Sequence, residues 1–261
     1  MTAKALFEKT YRIRAYEVDF RDQAQPLTLL NFLQDAAGEH SLRLGVSVAE
    51  LRPRGLTWVL SRYHLHVDRY PGRGEEVLLR TWPALREHKG TVRDFEIFDA
   101  AEKTLLKASS SWVVIDLATK RPVRLDDHLP PYPLLPRRAL ATEFPMPKAL
   151  GEAEQEFPFR VRMTDLDLNR HVNNAVYAAW ALEAVPETIQ RTHVPSELRI
   201  AYRAEAFYGD RVLSRLRSVE KGPPAFIHQL LREADGRELT RLESRWTPCP
   251  PGLATTHRGV V

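Results

Sequence analysis

The 261-residue chain contains its own template. The stretch Arg12–Asp35, RIRAYEVDFRDQAQPLTLLNFLQD, lies without a gap over Arg160–Glu183, RVRMTDLDLNRHVNNAVYAAWALE, at an offset of 148 residues. Arg12 falls on Arg160, Arg14 on Arg162, Asp19 on Asp167 and Phe32 on Trp180. A second ungapped match sets FEIFDAAEKTLLKASSSW, ending at Trp112, over QLLREADGRELTRLESRW, ending at Trp246, at an offset of 134. Two matches in the same order mean that one unit is repeated, so any fold for the first half has to serve the second as well.

In each half an alternating strand leads into one helix. Its apolar residues keep helical spacing, with Leu27, Leu30, Leu33 and Ala37 in the first copy and Val176, Ala179, Trp180 and Leu182 in the second. Long strand patterns follow: WVLSRYHLHV, EEVLLRTWPAL, GTVRDFEIFD and TLLKASSSWVVIDL, then SELRIAYRAEAF, RVLSRLRSVE, AFIHQLLREA and RELTRLESRWT. Asp235-Gly236 is a hairpin turn between two of them. One helix against a mostly antiparallel sheet, made twice, predicts an α+β fold in which each sheet wraps a central helix and the halves pair as an internal pseudo-dimer. The expected division is a first domain over 1–124, a linker over 125–156, a second domain over 157–248 and a disordered tail over 249–261. Six prolines between 130 and 147 break any periodicity in the linker.

Composition narrows the class. The chain is 43% hydrophobic and 28% charged, enough apolar material for one large core or two smaller ones. No run of ~18 apolar residues is present, and the charged start MTAKALFEKTYRIR does not resemble a signal peptide, so the expectation is a cytoplasmic protein with no membrane span. Cys249 is the single cysteine, which excludes an intrachain disulfide and fits a reducing compartment. The net charge is +4, with no basic run of the kind that binds nucleic acid, and points at most to a modestly acidic partner. The nine histidines are scattered and no metal-ligand spacing stands out, so neither metal nor organic cofactor is expected.

The chemistry gathers between 164 and 186, in TDLDLNRHVNNAVYAAWALEAVP. Asp165, Asp167, Asn169, His171, Asn173 and Asn174 stand where strand gives way to helix. Capping a helix requires one such residue, not this many. In an extended lead-in Asp167, Asn169 and His171 alternate and so share a side. Free N–H groups at a helix start can hold a developing oxyanion while a carboxylate or imidazole activates water, an arrangement suited to attack on an activated carbonyl. The first half has Asp19, Arg21 and Gln23 at the matching places, so one copy is equipped and the other is not. Glu205, late in a strand pattern and near a turn, is either a further site residue or an exposed strand residue.

At DLDLNRHVNNAVYAAWALEAVP, WVLSRYHLHVDRYP, KASSSWVVIDLATKRPV and YRAEAFYGDRV the sequence resembles the acyl-acyl carrier protein thioesterases of plant plastids and bacteria, over about residues 8–248. The resemblance implies two tandem hotdog domains, with the acyl pocket largely in the first and the hydrolytic residues in the second. It implies a catalytic set of Asp167, Asn169, His171 and Glu205. Plant members carry a cysteine after that glutamate; here the position is Ala206, and a covalent cysteine mechanism is excluded. The implied reaction is hydrolysis of acyl-carrier-protein thioesters to free fatty acid, ending chain elongation in fatty acid biosynthesis. The acidic carrier protein is the expected partner, and the chain is expected as a monomer or a homodimer. Leu30, Leu33, Trp58, Leu60, Asn173 and Asn174 are candidate substrate contacts, although the apolar ones equally suit a core. The competing readings are a hotdog acyl-CoA thioesterase and a non-catalytic acyl-binding protein.

Overall fold

The computed structural model describes residues 4–219 and 222–250. The part of the expected tail from 251 onward lies outside them. In chain order the elements are β1 (Phe7–Arg12), α1 (Pro26–Arg43), α2 (Val48–Leu51), β2 (Leu56–Val67), β3 (Glu76–Arg86), β4 (Gly90–Phe98), β5 (Thr104–Asp116) and α3 (Leu125–His128). The second half supplies β6 (Gln155–Arg160), α4 (Asn174–Glu183), α5 (Glu187–Thr192), β7 (His193–Tyr202), β8 (Arg211–Ser218), β9 (Ala225–Arg232) and β10 (Glu238–Pro248).

The ten strands of the described residues form one antiparallel sheet in the order β1-β3-β4-β5-β2-β7-β10-β9-β8-β6. Read outward from the β2–β7 seam, the two halves have the same order, so the tandem repeat folds as a pseudo-dimer with a continuous sheet. The seam pairs Arg62 with Ala201 and His66 with Glu197. Across it His64 Nε2 meets Glu197 Oε1 at 2.8 Å, and burial holds the His64 pKa below its ordinary value.

The helices lie against this sheet and touch one another. Leu29, Leu30, Leu33 and Ala36 of α1 and Ala175, Ala178 and Ala181 of α4 are buried in one apolar core with Leu65, Leu79, Phe95, Leu198 and Leu230 of the strands. α1 starts with Pro26 in its first turn, where a missing N–H costs nothing. α4 is capped by Asn173, whose Oδ1 accepts from Ala175 N at 3.0 Å. Small alanines on α4 allow close approach to the sheet, while Trp180 stacks on Phe159 with ring centroids 5.6 Å apart.

Between the halves the proline-rich segment is fastened down. Leu135 N donates to Pro83 O, Trp82 Nε1 to Arg137 O at 2.7 Å, and Ala139 N to the buried Asp94 carboxylate at 2.7 Å. Arg137 grips Glu96 bidentately and lies 4.0 Å from the centre of the Trp82 ring. The strap hides a tryptophan and two carboxylates on the outer side of β3 and β4, a role that its composition does not announce.

Candidate active site

Residues 166–172 are a tight hairpin rather than an extended lead-in. Leu166 bridges Val172, Asp167 N donates to His171 O at 2.8 Å, and Arg170 N donates to Asp167 O at 3.0 Å. Arg170 sits at φ 65°, the left-handed conformation that reverses the chain. The turn thus brings Asp167, Asn169 and His171 together, replacing the expected strand alternation. Asp167 Oδ1 accepts from Asn169 N at 2.8 Å, an Asx turn that fixes the carboxylate.

Glu205 also departs from expectation, because β7 ends at Tyr202. Arg203 N and Ala204 N both donate to Leu239 O, at 2.8 and 3.2 Å, so the ladder stops and the chain turns Glu205 out of the sheet. There Glu205 Oε1 lies 3.2 Å from His171 Nδ1. Val172 N donates to Ala206 O at 3.0 Å and ties the two segments together. Beneath them Tyr177 of α4, whose hydroxyl accepts from Ala206 N at 2.8 Å, is buried. Burial raises its pKa well above the ordinary tyrosine value, so it stays a neutral support. The Phe207 ring meets the His171 ring edge-on at 5.1 Å.

Asp167, Asn169, His171 and Glu205 all line one cleft of about 1000 Å³, which continues into the first half along Ala37, Gly38 and Ser41 of α1 and Trp58 and Leu60 of β2. Asn174 lines it too. Leu30 and Leu33 do not: they are buried in the core against the sheet. Asn173 is committed to the α4 cap. Of the backbone N–H groups at 172–174, those of Val172 and Asn173 are also committed, the latter to Asp165 O at 2.8 Å. Asn174 N–H, in the first turn of α4 without an intrahelical acceptor, is the one left to meet a ligand oxygen.

On the first-half side the cleft reaches Arg93, whose buried guanidinium donates to His40 Nδ1 at 3.0 Å and Thr81 Oγ1 at 3.3 Å. Burial lowers the Arg93 pKa to about 10, so it remains a cation with neutral partners. Nothing in the sequence patterns marked it, or Tyr177, as part of the site; both sit at positions that periodicity assigns to core.

The first half holds the same hairpin stripped of chemistry. Val18 bridges Ala24, Asp19 N donates to Gln23 O, Asp22 has φ 63°, and Ala24 N donates to Pro71 O as Val172 does to Ala206. Arg21 replaces Asn169 and clamps Asp19 at 2.6 Å while its Nη1 reaches Gln190 O and His193 O. Through the Pro71–Ala206 correspondence, Tyr70 takes the place of Glu205, buried with its hydroxyl on Pro195 O at 2.7 Å. Cys249 accepts from Arg21 Nη1 at 3.2 Å on this silent side, remote from any nucleophilic role in the cleft.

One continuous sheet whose two pseudo-symmetric halves each pack on one helix, with the Asp167, Asn169, His171 and Glu205 cluster in the second half, is the tandem hotdog architecture of a thioester hydrolase. The chain matches the acyl-ACP thioesterase N-terminal domain over residues 4–131 and the C-terminal domain over 148–248, and it belongs to the acyl-ACP thioesterase family. Dodecanoyl-acyl-carrier-protein hydrolase of Cinnamomum camphora is 29% identical over 272 residues, covering 98% of this chain and 70% of that protein. Oleoyl-acyl carrier protein thioesterase of Coriandrum sativum is 30% identical over 257 residues, covering 92% and 69%. The solved 12:0-ACP thioesterase from Umbellularia californica matches with a TM-score of 0.82 and 26% identity over 94% of this chain and 95% of that one. Among the described residues no helix is long and apolar enough to cross a membrane, and no group of three or more His, Cys, Asp or Glu side chains could hold a metal ion.

Proposed function

We propose that this acyl-ACP thioesterase ends fatty acid elongation by hydrolysing the thioester in the second half while the acyl chain lies along the cleft into the first. The 3.2 Å approach of Glu205 to His171 Nδ1, beside Asp167 and Asn169 in one cleft, carries this reading. With the Nδ1 proton facing Glu205, Nε2 is the nitrogen left to accept a proton from water. Hydroxide adds to the thioester carbonyl, and the oxyanion takes its hydrogen bonds from Asn174 N–H at the positive end of α4 and from the Asn169 carboxamide. The tetrahedral intermediate collapses with cleavage of the C–S bond, and the proton held by His171 passes to the departing thiolate. The products are the free acid and the thiol of the carrier's arm. Asp167, held by its Asx turn, orients the water and stabilises the imidazolium.

The domain division follows from this reading: residues before the strap hold the chain, and those after it do the chemistry. The lone Cys249 supports a reducing compartment, and we place the protein in the cytoplasm. The test is thiol release from acyl-carrier-protein and acyl-CoA thioesters of graded chain length. Faster release from the carrier-protein series supports the reading. Release from CoA thioesters alone, or from neither series, refutes it.

A further inference from the structure

A smaller recess of about 380 Å³ opens beside the cleft, lined by Arg62, Tyr202, Arg203, Arg237 and Glu238. It shares Tyr202, Arg203 and Arg237 with the cleft wall. Arg203 stands two positions before Glu205, at most ~7 Å along the backbone. Three guanidinium groups and one carboxylate thus line a recess that adjoins the cleft.

That carboxylate is already spent. Glu238 Oε1 accepts from Arg241 Nε and Gln229 Nε2, each at 2.7 Å, and Oε2 meets Arg203 Nε at 2.7 Å. Arg62 donates only to its neighbour Ser61, at 2.9 Å to the carbonyl and 3.1 Å to the hydroxyl, and has no carboxylate within 4.0 Å among the described residues. Arg237 has none either: the nearby Asp235 is gripped by Arg232 at 2.8 Å. Arg62 is half-buried, and this burial together with the proximity of Arg203 lowers its pKa from the ordinary arginine value. Two cations held in a recess, one of them desolvated against a like charge, are stabilised by an anion that enters it. Arginine forks match tetrahedral phosphate oxygens in particular.

We propose that this recess binds the phosphate of the phosphopantetheine arm that presents the thioester. The inference rests on the proposed hydrolysis. It assigns Arg62 and Arg237 to recognition of the arm and separates that task from the acyl pocket and the reacting groups. The chemistry is shared by two carriers, since the arm of acyl carrier protein and that of coenzyme A both carry phosphate. A thioester lacking phosphate, such as acyl-pantetheine, offers the recess no anion.

The experiment compares kcat/KM for acyl-carrier-protein, acyl-CoA and acyl-pantetheine of one chain length in the wild type, Arg62→Gln, Arg237→Gln and Arg62→Lys. The ratio of the carrier-protein to the pantetheine value falls about tenfold in each Gln variant, through KM, and is largely retained in Arg62→Lys, which keeps the charge. The acyl-CoA to pantetheine ratio falls in parallel. Equal loss on all three substrates, or no loss on the carrier protein, overturns the assignment. Loss on the carrier protein with none on CoA also overturns it, and assigns the recess to an acidic side chain of the carrier instead. A wild type that releases thiol from none of the three refutes the hydrolytic reading itself, an outcome distinct from wild-type turnover with unaffected variants.

Discussion

Asp19 and Asp167 occupy the same place in two hairpins of the same hydrogen-bond pattern, 148 residues apart, and differ in what faces them. Asp19 is neutralised by Arg21 at 2.6 Å, whereas Asp167 meets only the backbone N–H and, at 3.4 Å, the carboxamide of Asn169. Without a cation, a carboxylate keeps its charge available for chemistry. With one, it becomes part of the scaffold, and Arg21 goes on to bind the carbonyls of Gln190 and His193 in the other half.

Transplanting the first-half residue should therefore close the second site. Asn169→Arg is expected to lower kcat on acyl-carrier-protein about 10²-fold or more while Tm stays within a few degrees, because the hairpin already tolerates arginine at this place. The reverse change acts on stability. Arg21→Asn leaves Asp19 and two carbonyls without their partner and should cost about 2–4 kcal/mol in urea unfolding, with kcat of the folded enzyme retained. If Asn169→Arg kept full turnover, the contrast between the two hairpins would have no catalytic meaning.

Tyr177→Phe removes the acceptor of Ala206 N–H. A buried N–H left unsatisfied costs about 1–3 kcal/mol, and it lies one residue from Glu205. The expected result is a lower urea midpoint together with a fall in kcat, since Glu205 loses the support under its loop. Loss of stability with unchanged kcat would show that the tyrosine props only the fold.

Stability should depend on pH through two histidines outside the site. Burial, with Arg93 nearby, lowers the His40 pKa to about 4, and burial lowers that of His228 to about 3, from an ordinary value of 6.5. The unfolded chain therefore binds protons that the folded chain refuses, and stability falls as pH drops below about 6.5. At pH 5 each histidine accounts for roughly 2 kcal/mol. Urea midpoints between pH 7.5 and 5 should decline, and the decline should be shallower in His228→Gln. An unchanged slope in that variant would remove His228 from the account.

Much of this architecture was legible because a repeat halves the problem. The offset of 148 residues aligned the two segments that lead into α1 and α4, and strand patterns such as GTVRDFEIFD fall on β4 within a residue. The match between Tyr70 and Glu205 was hidden, because α1 has 18 residues and α4 only 10, which changes the offset between the copies downstream. Turn geometry was hidden as well: nothing in LDLNRHV distinguishes a strand from a hairpin until Arg170 adopts a left-handed φ. Leu30 and Leu33 lie in the core, and on α1 the cleft is lined by Ala37, Gly38 and Ser41, because the faces of a helix buried on two sides look alike in sequence. The strap over Trp82 depends on long-range contacts that composition cannot encode.

The most direct test of the account is the rate of thiol release from acyl-carrier-protein in single turnover by Glu205→Gln, His171→Asn and the double variant. If Glu205 and His171 act as one unit, each single change costs about 10²–10⁴-fold and the double variant is scarcely slower than the worse single one. Costs that multiply in the double variant, or near-normal release by Glu205→Gln, would contradict a water-activating pair in this cleft.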